Sequence, residues 1–522
     1  MSIKRRLMIP FLGLCISLLF SGASHGGIGD FFTSVKETVG SAVGSVGRAV
    51  GLSDRTSGLE GTLLDQLTAE QDAEEAAMET EQSAGDSGGF QQDILLLRRA
   101  GEGVAQLSEL EQYLNGVKDK LLTAWPGRKI QTHVYISPSP DFAAQALPNG
   151  VISIPLGTLL KLKNEDQLAA LLGHELSHLI LEHHQKDTLS VVSERLLDYS
   201  DLYLQVAVGK GKAGAADYAK LKVADWALKN AFFPNWNRGQ ENEADYLGAD
   251  LLIRAGYNGD AMLEVLKLIE FTAQKRVEFV ERNPVATTQS PKGSPELKID
   301  FNQLLSNVSD DLKDQLSHSH EDAKERRKQI RKYVRASHPD RARPAFIEKP
   351  FLKVMKSASS RKFIACYKYA YEANDLMLQA KEKPGILTKA AASGLKGISG
   401  SCSNDPYTRM VMFQVRYYQN KGKSAVTNLT KAYKSGQAPY NTYTMLSDIA
   451  YKKGEFKTSL VFQQALSETF KEDVEYLPRM IATRQKLGQK AGELSLLCIA
   501  TGKAKLITRC DEAKKGMWRP AI

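Results

Sequence analysis

The chain has 522 residues, of which 69 are basic and 60 acidic, for a formal charge of +9. That length is more than one ordinary domain needs and leaves ample material for buried cores. The charge excess is modest for the size, and no basic stripe is interleaved with aromatics, which argues against nucleic acid as a partner and leaves only peripheral attraction to an anionic membrane surface.

Residues 1–23 read as a secretory signal peptide. Lys4, Arg5 and Arg6 form a basic start, Leu7 to Phe20 is almost wholly apolar, and Ser21-Gly22-Ala23 offers the small residues that cleavage requires. The apolar run is short for a membrane span, and Leu14 before Cys15 does not suit lipidation. The expectation is an exported protein. Residues 24–91 form a linker region, Gly/Ser-rich and then acidic. Within it Phe31, Val35, Val39, Val43, Val46 and Val50 make a helical stripe that the glycines weaken, and 67–89 reads as flexible.

A globular pattern begins at 92. Leu95 to Leu97 and then Leu107, Leu110, Leu114 and Val117 predict helices. Lys129 to Ile136 and Gly150 to Pro155 predict strands, the second entered through Pro148-Asn149-Gly150. A small sheet would thus lie beside the next helix, which carries His174-Glu175-Leu176-Ser177-His178.

Four residues along a helix is a little over one turn, so His174 and His178 share a face and can grip one Zn²⁺, with Glu175 beside them to handle a water proton. A third ligand is needed. His184 would serve only if the chain turned back at 181, where this sequence has Leu181. His183 and His184 instead read as solvated residues at the helix end, where positive charge suits the dipole. The better candidate is Glu241 in Glu241-Asn242-Glu243-Ala244-Asp245. Asp245, one turn on, can accept a hydrogen bond from the free ring N–H of a ligand histidine. Glu243 falls on a different face and points elsewhere.

Taken together, Ala146-Leu147-Pro148-Asn149-Gly150-Val151-Ile152, the HELSH helix, ENEAD and Leu251 to Tyr257 resemble the gluzincin peptidases. That group includes CAAX prenyl proteases, the HtpX heat-shock protease and Oma-type proteases, and the resemblance is strongest to its periplasmic branch that assists β-barrel assembly. It implies zinc ligands at His174, His178 and Glu241, a catalytic Glu175 and a supporting Asp245. It also implies one Zn²⁺ per chain. The substrates implied are unfolded or misassembled proteins, with the outer-membrane assembly machinery as a partner. The group's later His–Arg pair falls on His320 and Arg326, which would assist at the oxyanion. The proline that normally follows the histidine is Glu321 here, and His338-Pro339 has the proline without the arginine. Ala143, Gln145 and Asn149 also depart from the pattern ahead of the zinc helix. Residues 186–235, which look helical, and 284–300, which look like a loop, are insertions relative to the compact core of the group.

The peptidase segment is expected to span 92–345, and a tetratricopeptide-like array 350–522. Gly422, Gly454 and Gly488 recur at 32 and 34 residues and mark helix–helix turns, with Tyr443, Phe456 and Phe462 as packing residues. The fold class is therefore mainly α: an α+β peptidase domain followed by all-α repeats. Cys366, Cys402, Cys498 and Cys510 suit disulfides in an exported protein, with three connectivities open. The rival reading is a chaperone-like adaptor of envelope protein assembly with a mostly plugged peptidase site.

Overall fold

The computed structural model describes residues 61–75, 88–183, 215–232, 236–282, 323–380, 385–471 and 473–520, all within one compact unit, Gly58–Ile522. The expected signal peptide, the stripe between Phe31 and Val50, the loop 284–300 and His320 lie outside them. The described residues are mostly helical, with one small sheet.

Helices α1 (Leu63–Glu75), α2 (Gly88–Arg99) and α3 (Ser108–Leu122) precede the sheet. Residues 63–75 were expected within a linker, and they are helical because Leu63, Leu64 and Leu67 are buried in the main core. Burying such a side chain contributes roughly 1.5–3 kcal/mol, which outweighs the weak pattern of an acidic segment. Polar contacts pin the helix start as well. Tyr333 Oη accepts from the Leu63 N–H at 2.7 Å, and Asp250 Oδ2 accepts from the Leu64 N–H at 3.1 Å.

The sheet has strand order β1 (His133–Ser137), β3 (Val151–Pro155), β2 (Gln145–Ala146). β1 runs parallel to β3, with Val134 opposite Ile152, and β2 runs antiparallel to β3, with Ala146 opposite Ile152. Both predicted strands are present. The Asn149-Gly150 turn into β3 is held by Asp93 of α2, which accepts from the backbone of Asn149 and Val151, each at 3.0 Å. Gly150 sits at φ +96, and a Cβ there would fall 2.4 Å from the Gln131 carbonyl, so the turn requires glycine.

Helix α4 (Glu165–Ile180) carries the HELSH motif. Its N-cap is Asn164, whose side chain accepts from the Gln167 N–H at 2.8 Å, and Glu165 and Asp166 in the first turn suit the helix dipole. Helices α5 (Ala215–Phe232), α6 (Arg238–Arg254) and α7 (Asp260–Arg282) follow. α5 lies in the stretch expected as a helical insertion. α6 opens with a capping box between Asn237 and Gln240 and carries ENEAD on its first two turns. Helical residues 323–337 form α8.

The main core does not stop near 345. Phe351 and Val354 of α9 (Lys349–Met355) and Ile364 and Tyr367 of α10 (Ala358–Gln379) are buried in the same cluster as Leu168 and Leu172 of the HELSH helix. From α10 the chain continues as paired helices: α11 (Ile386–Gly397), α12 (Pro406–Tyr418), α13 (Gly422–Lys434), α14 (Tyr440–Lys452), α15 (Phe456–Thr469), α16 (Leu477–Lys486), α17 (Gly492–Ala500) and α18 (Ala504–Lys514).

Three of the turns in this array share one backbone design. Asn420, Gly454 and Gly488 adopt φ +57, +78 and +69. The residue after each donates its N–H to a carbonyl five positions back: Lys421 to Arg416, Glu455 to Ala450, and Gln489 to Arg484. The repeat is 34 residues at both steps (420 to 454, 454 to 488). The left-handed residue of the first turn is Asn420, and Gly422 is the first residue of the following helix. Asparagine is the non-glycine residue that tolerates this conformation best, so the expected glycine was two positions off. Disulfides join Cys366 to Cys402 and Cys498 to Cys510.

Candidate metal centre

The centre lies where α4 crosses α6. The helices can touch because both carry glycine at the crossing. A Cβ on Gly248 would lie 2.9 Å from the His174 nitrogen and 3.0 Å from the Gly173 carbonyl carbon, and one on Gly173 would lie 3.0 Å from the Gly248 carbonyl oxygen. This approach brings the carboxylate of Glu241 up to both imidazoles. Its oxygens lie 3.6 Å from His174 Nε2 and 3.7 Å from His178 Nε2, and the two Nε2 atoms are 3.2 Å apart. One donor atom from each of His174, His178 and Glu241 falls within a 4.8 Å span. Two imidazoles and a carboxylate converging this way form a donor set suited to Zn²⁺ with a coordination position left open. Gly248→Ala should force the helices apart, at a cost of about 1–3 kcal/mol, and should weaken zinc binding as well. Thermal unfolding and zinc titration of the variant check this, and unchanged values in both would contradict the crossing argument.

Asp245 stands behind His174, its Oδ1 3.0 Å from Nδ1. That contact leaves Nε2 of His174 free to face the centre. Arg326, from α8, donates through Nε and Nη2 to the two oxygens of Asp245, both at 2.8 Å, and its Nη1 contacts Glu241. Burial acts to raise the Asp245 carboxyl, and the Arg326 guanidinium and His174 overcome it, holding the group well below the usual carboxylate range. Burial likewise acts to lower the His174 imidazole, and Asp245 and Glu241 overcome it and raise it. The sequence suggested that Arg326 assists an oxyanion, but its guanidinium is engaged on the carboxylates of the centre.

Glu175 is buried at the neighbouring position of α4. Its Oε2 accepts a hydrogen bond of 2.8 Å from the Ala146 N–H on β2, so the edge strand of the sheet faces this carboxylate. Burial is the main influence on its acidity and, with Glu241 nearby, pushes it up to about 7 against the opposing effect of His174. A carboxyl group tuned there can take and return a proton near neutral pH.

His183 and Glu243 are the residues that sequence reasoning placed wrongly. His183 was expected to be solvated and Glu243 to point elsewhere. His183 is 6% exposed, its Nδ1 lies 2.8 Å from Nδ1 of His178, and its Nε2 lies 3.1 Å from Glu243. The helix does not continue past Ile180. Glu182 takes φ +51 and the His183 N–H returns to the His178 carbonyl, which turns the side chain inward. No local signal in the sequence marks this pair, because the contact depends on the left-handed turn at Glu182. His184 lies outside the described residues. His338, the other late histidine, joins a separate network: its Nε2 is 2.6 Å from Asp250, which also accepts from Tyr333.

Residues 109–343 match the model of Peptidase family M48. Over 137 residues the chain is 26% identical to Metalloprotease YcaL of Escherichia coli (strain K12), covering 26% of this chain and 50% of that protein. Over 127 residues it is 29% identical to Metalloendopeptidase OMA1, mitochondrial, of Bos taurus, covering 23% of each. The chain therefore spans half the length of the first relative and less than a quarter of the second. The matched segment contains the crossing helices, the converged His174–His178–Glu241 donors and the buried Glu175, and that segment is an M48 peptidase domain with a gluzincin-type donor set.

Proposed function

We propose that the protein is an exported zinc metalloendopeptidase that hydrolyses peptide bonds in misfolded or stalled envelope polypeptides. The observation that carries the reading is the convergence of His174, His178 and Glu241 beside a buried carboxylate that faces a strand edge. A Zn²⁺ held by these three side chains would polarise the scissile carbonyl and acidify a bound water. Glu175 takes the proton of the attacking water and returns it to the leaving amine. An extended polypeptide laid along β2 would bring its backbone next to Glu175, because the Ala146 N–H already reaches that carboxylate. Arg326 and Asp245 hold Glu241 and His174 in place.

The helical array after residue 358 is the recruiting element in this reading. Its 34-residue turn period matches that of tetratricopeptide repeats, whose stacked helix pairs present a concave binding face. The names of the two relatives, a metalloprotease and a metalloendopeptidase, support endopeptidase chemistry. Export rests on the first 23 residues of the sequence and on the cysteines that pair as disulfides. No helix of the described residues is long and apolar enough to cross a membrane.

Metal analysis of the full chain tests the centre. One zinc per wild-type chain is expected, with little retained in His174→Ala, His178→Ala or Glu241→Ala. Undiminished zinc in all three variants would sink the assignment. Cleavage of casein by the loaded wild-type protein, and its loss on treatment with a chelator, would separate a working peptidase from an adaptor with a closed site.

A further inference from the structure

His178 has a second polar contact on the side of its ring away from Glu241. Its Nδ1 lies 2.8 Å from Nδ1 of His183, and Nε2 of His183 lies 3.1 Å from Oε2 of Glu243. His178 is fully buried and His183 nearly so. Trp236 covers the pair, stacked on the His178 ring at 4.8 Å and tilted against His183 at 5.9 Å.

These contacts admit one consistent arrangement of hydrogens. Two ring nitrogens 2.8 Å apart need one proton between them. A ligand imidazole must offer a lone pair to the metal, and the Nε2 of His178 is the atom that faces the centre. A neutral His178 therefore carries its proton on Nδ1 and donates it to a bare Nδ1 on His183. A neutral His183 then carries its own proton on Nε2 and donates it to the Glu243 carboxylate. Moving the proton at either ring places two protons or none between the rings, or aims an N–H at the metal position.

We propose that His183 and Glu243 are positioning residues for the metal centre, a relay that fixes the tautomer and the ring orientation of His178. The inference rests on the zinc-site reading above. It gives the two histidines different supports: Asp245 acts on His174 directly, and Glu243 acts on His178 through a second imidazole. The three acids of the ENEAD run then divide the work, with Glu241 on the centre, Asp245 behind His174 and Glu243 behind His183. The local backbone is built for it. Glu182 occupies the left-handed region at φ +51, a conformation unfavourable for a non-glycine residue. That conformation turns His183 back onto His178, and an ion pair of 2.7 Å from Arg128 to the Glu182 carboxylate accompanies the turn.

The test is zinc affinity of the stripped full chain, measured by competition with a chromophoric chelator, together with thermal unfolding of each stripped protein. His183→Ala should weaken zinc binding about 10–100-fold. His183→Asn, which keeps an acceptor near the His178 N–H, should recover part of the loss. Glu243→Gln, whose amide oxygen still accepts from His183, should stay closer to wild type than Glu243→Ala. Wild-type affinity in His183→Ala would overturn the relay. So would equal losses in His183→Ala and His183→Asn, because the effect would then be one of packing. Should His183→Ala not fold, the Glu243 pair decides the question, and equal affinities in Glu243→Ala and Glu243→Gln would refute the proposal. A wild-type chain that binds no zinc would bring down the metal-site reading itself, an outcome distinct from the others.

Discussion

Glu175→Gln should lower peptide-bond hydrolysis about 10²–10⁴-fold while zinc content stays at the wild-type level. Glutamine has nearly the same shape and its amide oxygen can still accept from the Ala146 N–H. It cannot take a proton from water, and residue 175 lies outside the set of metal ligands. Turnover near that of wild type in the loaded variant would remove Glu175 from the mechanism. The same substitution has a second, opposite effect on stability. The carboxyl is pushed from an ordinary 4.5 up to about 7, so the native state of the stripped protein binds its proton more tightly than the unfolded chain does. Stability from this group is therefore present below pH ~4.5 and is lost as pH rises through about 7. The shift amounts to on the order of 3 kcal/mol. Stripped Glu175→Gln should unfold at a higher temperature than stripped wild type at pH 8, and the gap should close at pH 5. A gap that widened toward acid would contradict the burial of the charged form.

Arg326→Ala should be the most destabilising single change near the centre, at about 3–5 kcal/mol, with zinc affinity reduced as well. The substitution leaves Asp245, which is 1% exposed, and Glu241 without the guanidinium that compensates them. The sign of its pH dependence follows from Asp245. That carboxyl is held below its ordinary value in the native protein, so its contribution is present above pH ~4 and is lost as pH falls through the depressed value. The deficit of the variant should thus be full at pH 7 and shrink in strong acid. Arg326→Lys should fall between the two, because an ammonium restores the charge without the two-pronged contact to Asp245. Paired unfolding curves of the three proteins at pH 7 and at about pH 2 would show this. A variant as stable as wild type at pH 7 would mean that the carboxylates find another partner.

The metal donors were legible in the sequence because helical spacing alone puts His174 next to His178 and Glu241 next to Asp245. The two β-strands beside the zinc helix were legible too, and so were two of the three array turns, at Gly454 and Gly488, since each is a local pattern of side chains or turn residues; the first turn is at Asn420 and not at the expected Gly422. Chain contacts between distant segments were not. Nothing local in Leu63 to Leu67 announces that these leucines complete a core shared with Tyr367, and the acidic residues around them resemble a linker. Nothing around residue 345 shows that Phe351 and Ile364 belong to the peptidase core.

The supports of the centre divide the same way. Asp245 was accessible to sequence reasoning because it lies one turn from Glu241 on the same face. Glu243 and His183 were not, because their contact depends on a left-handed residue that breaks the helix after Ile180, and a glutamate at 182 does not signal such a turn. The sequence by itself thus determined which atoms can hold the metal, through periodicity within single helices. Only the tertiary structure decided what stands behind those atoms, because the polar partners of His174, His178 and Glu241 come from α6, α8 and the turn after α4, brought together by a crossing that two glycines allow.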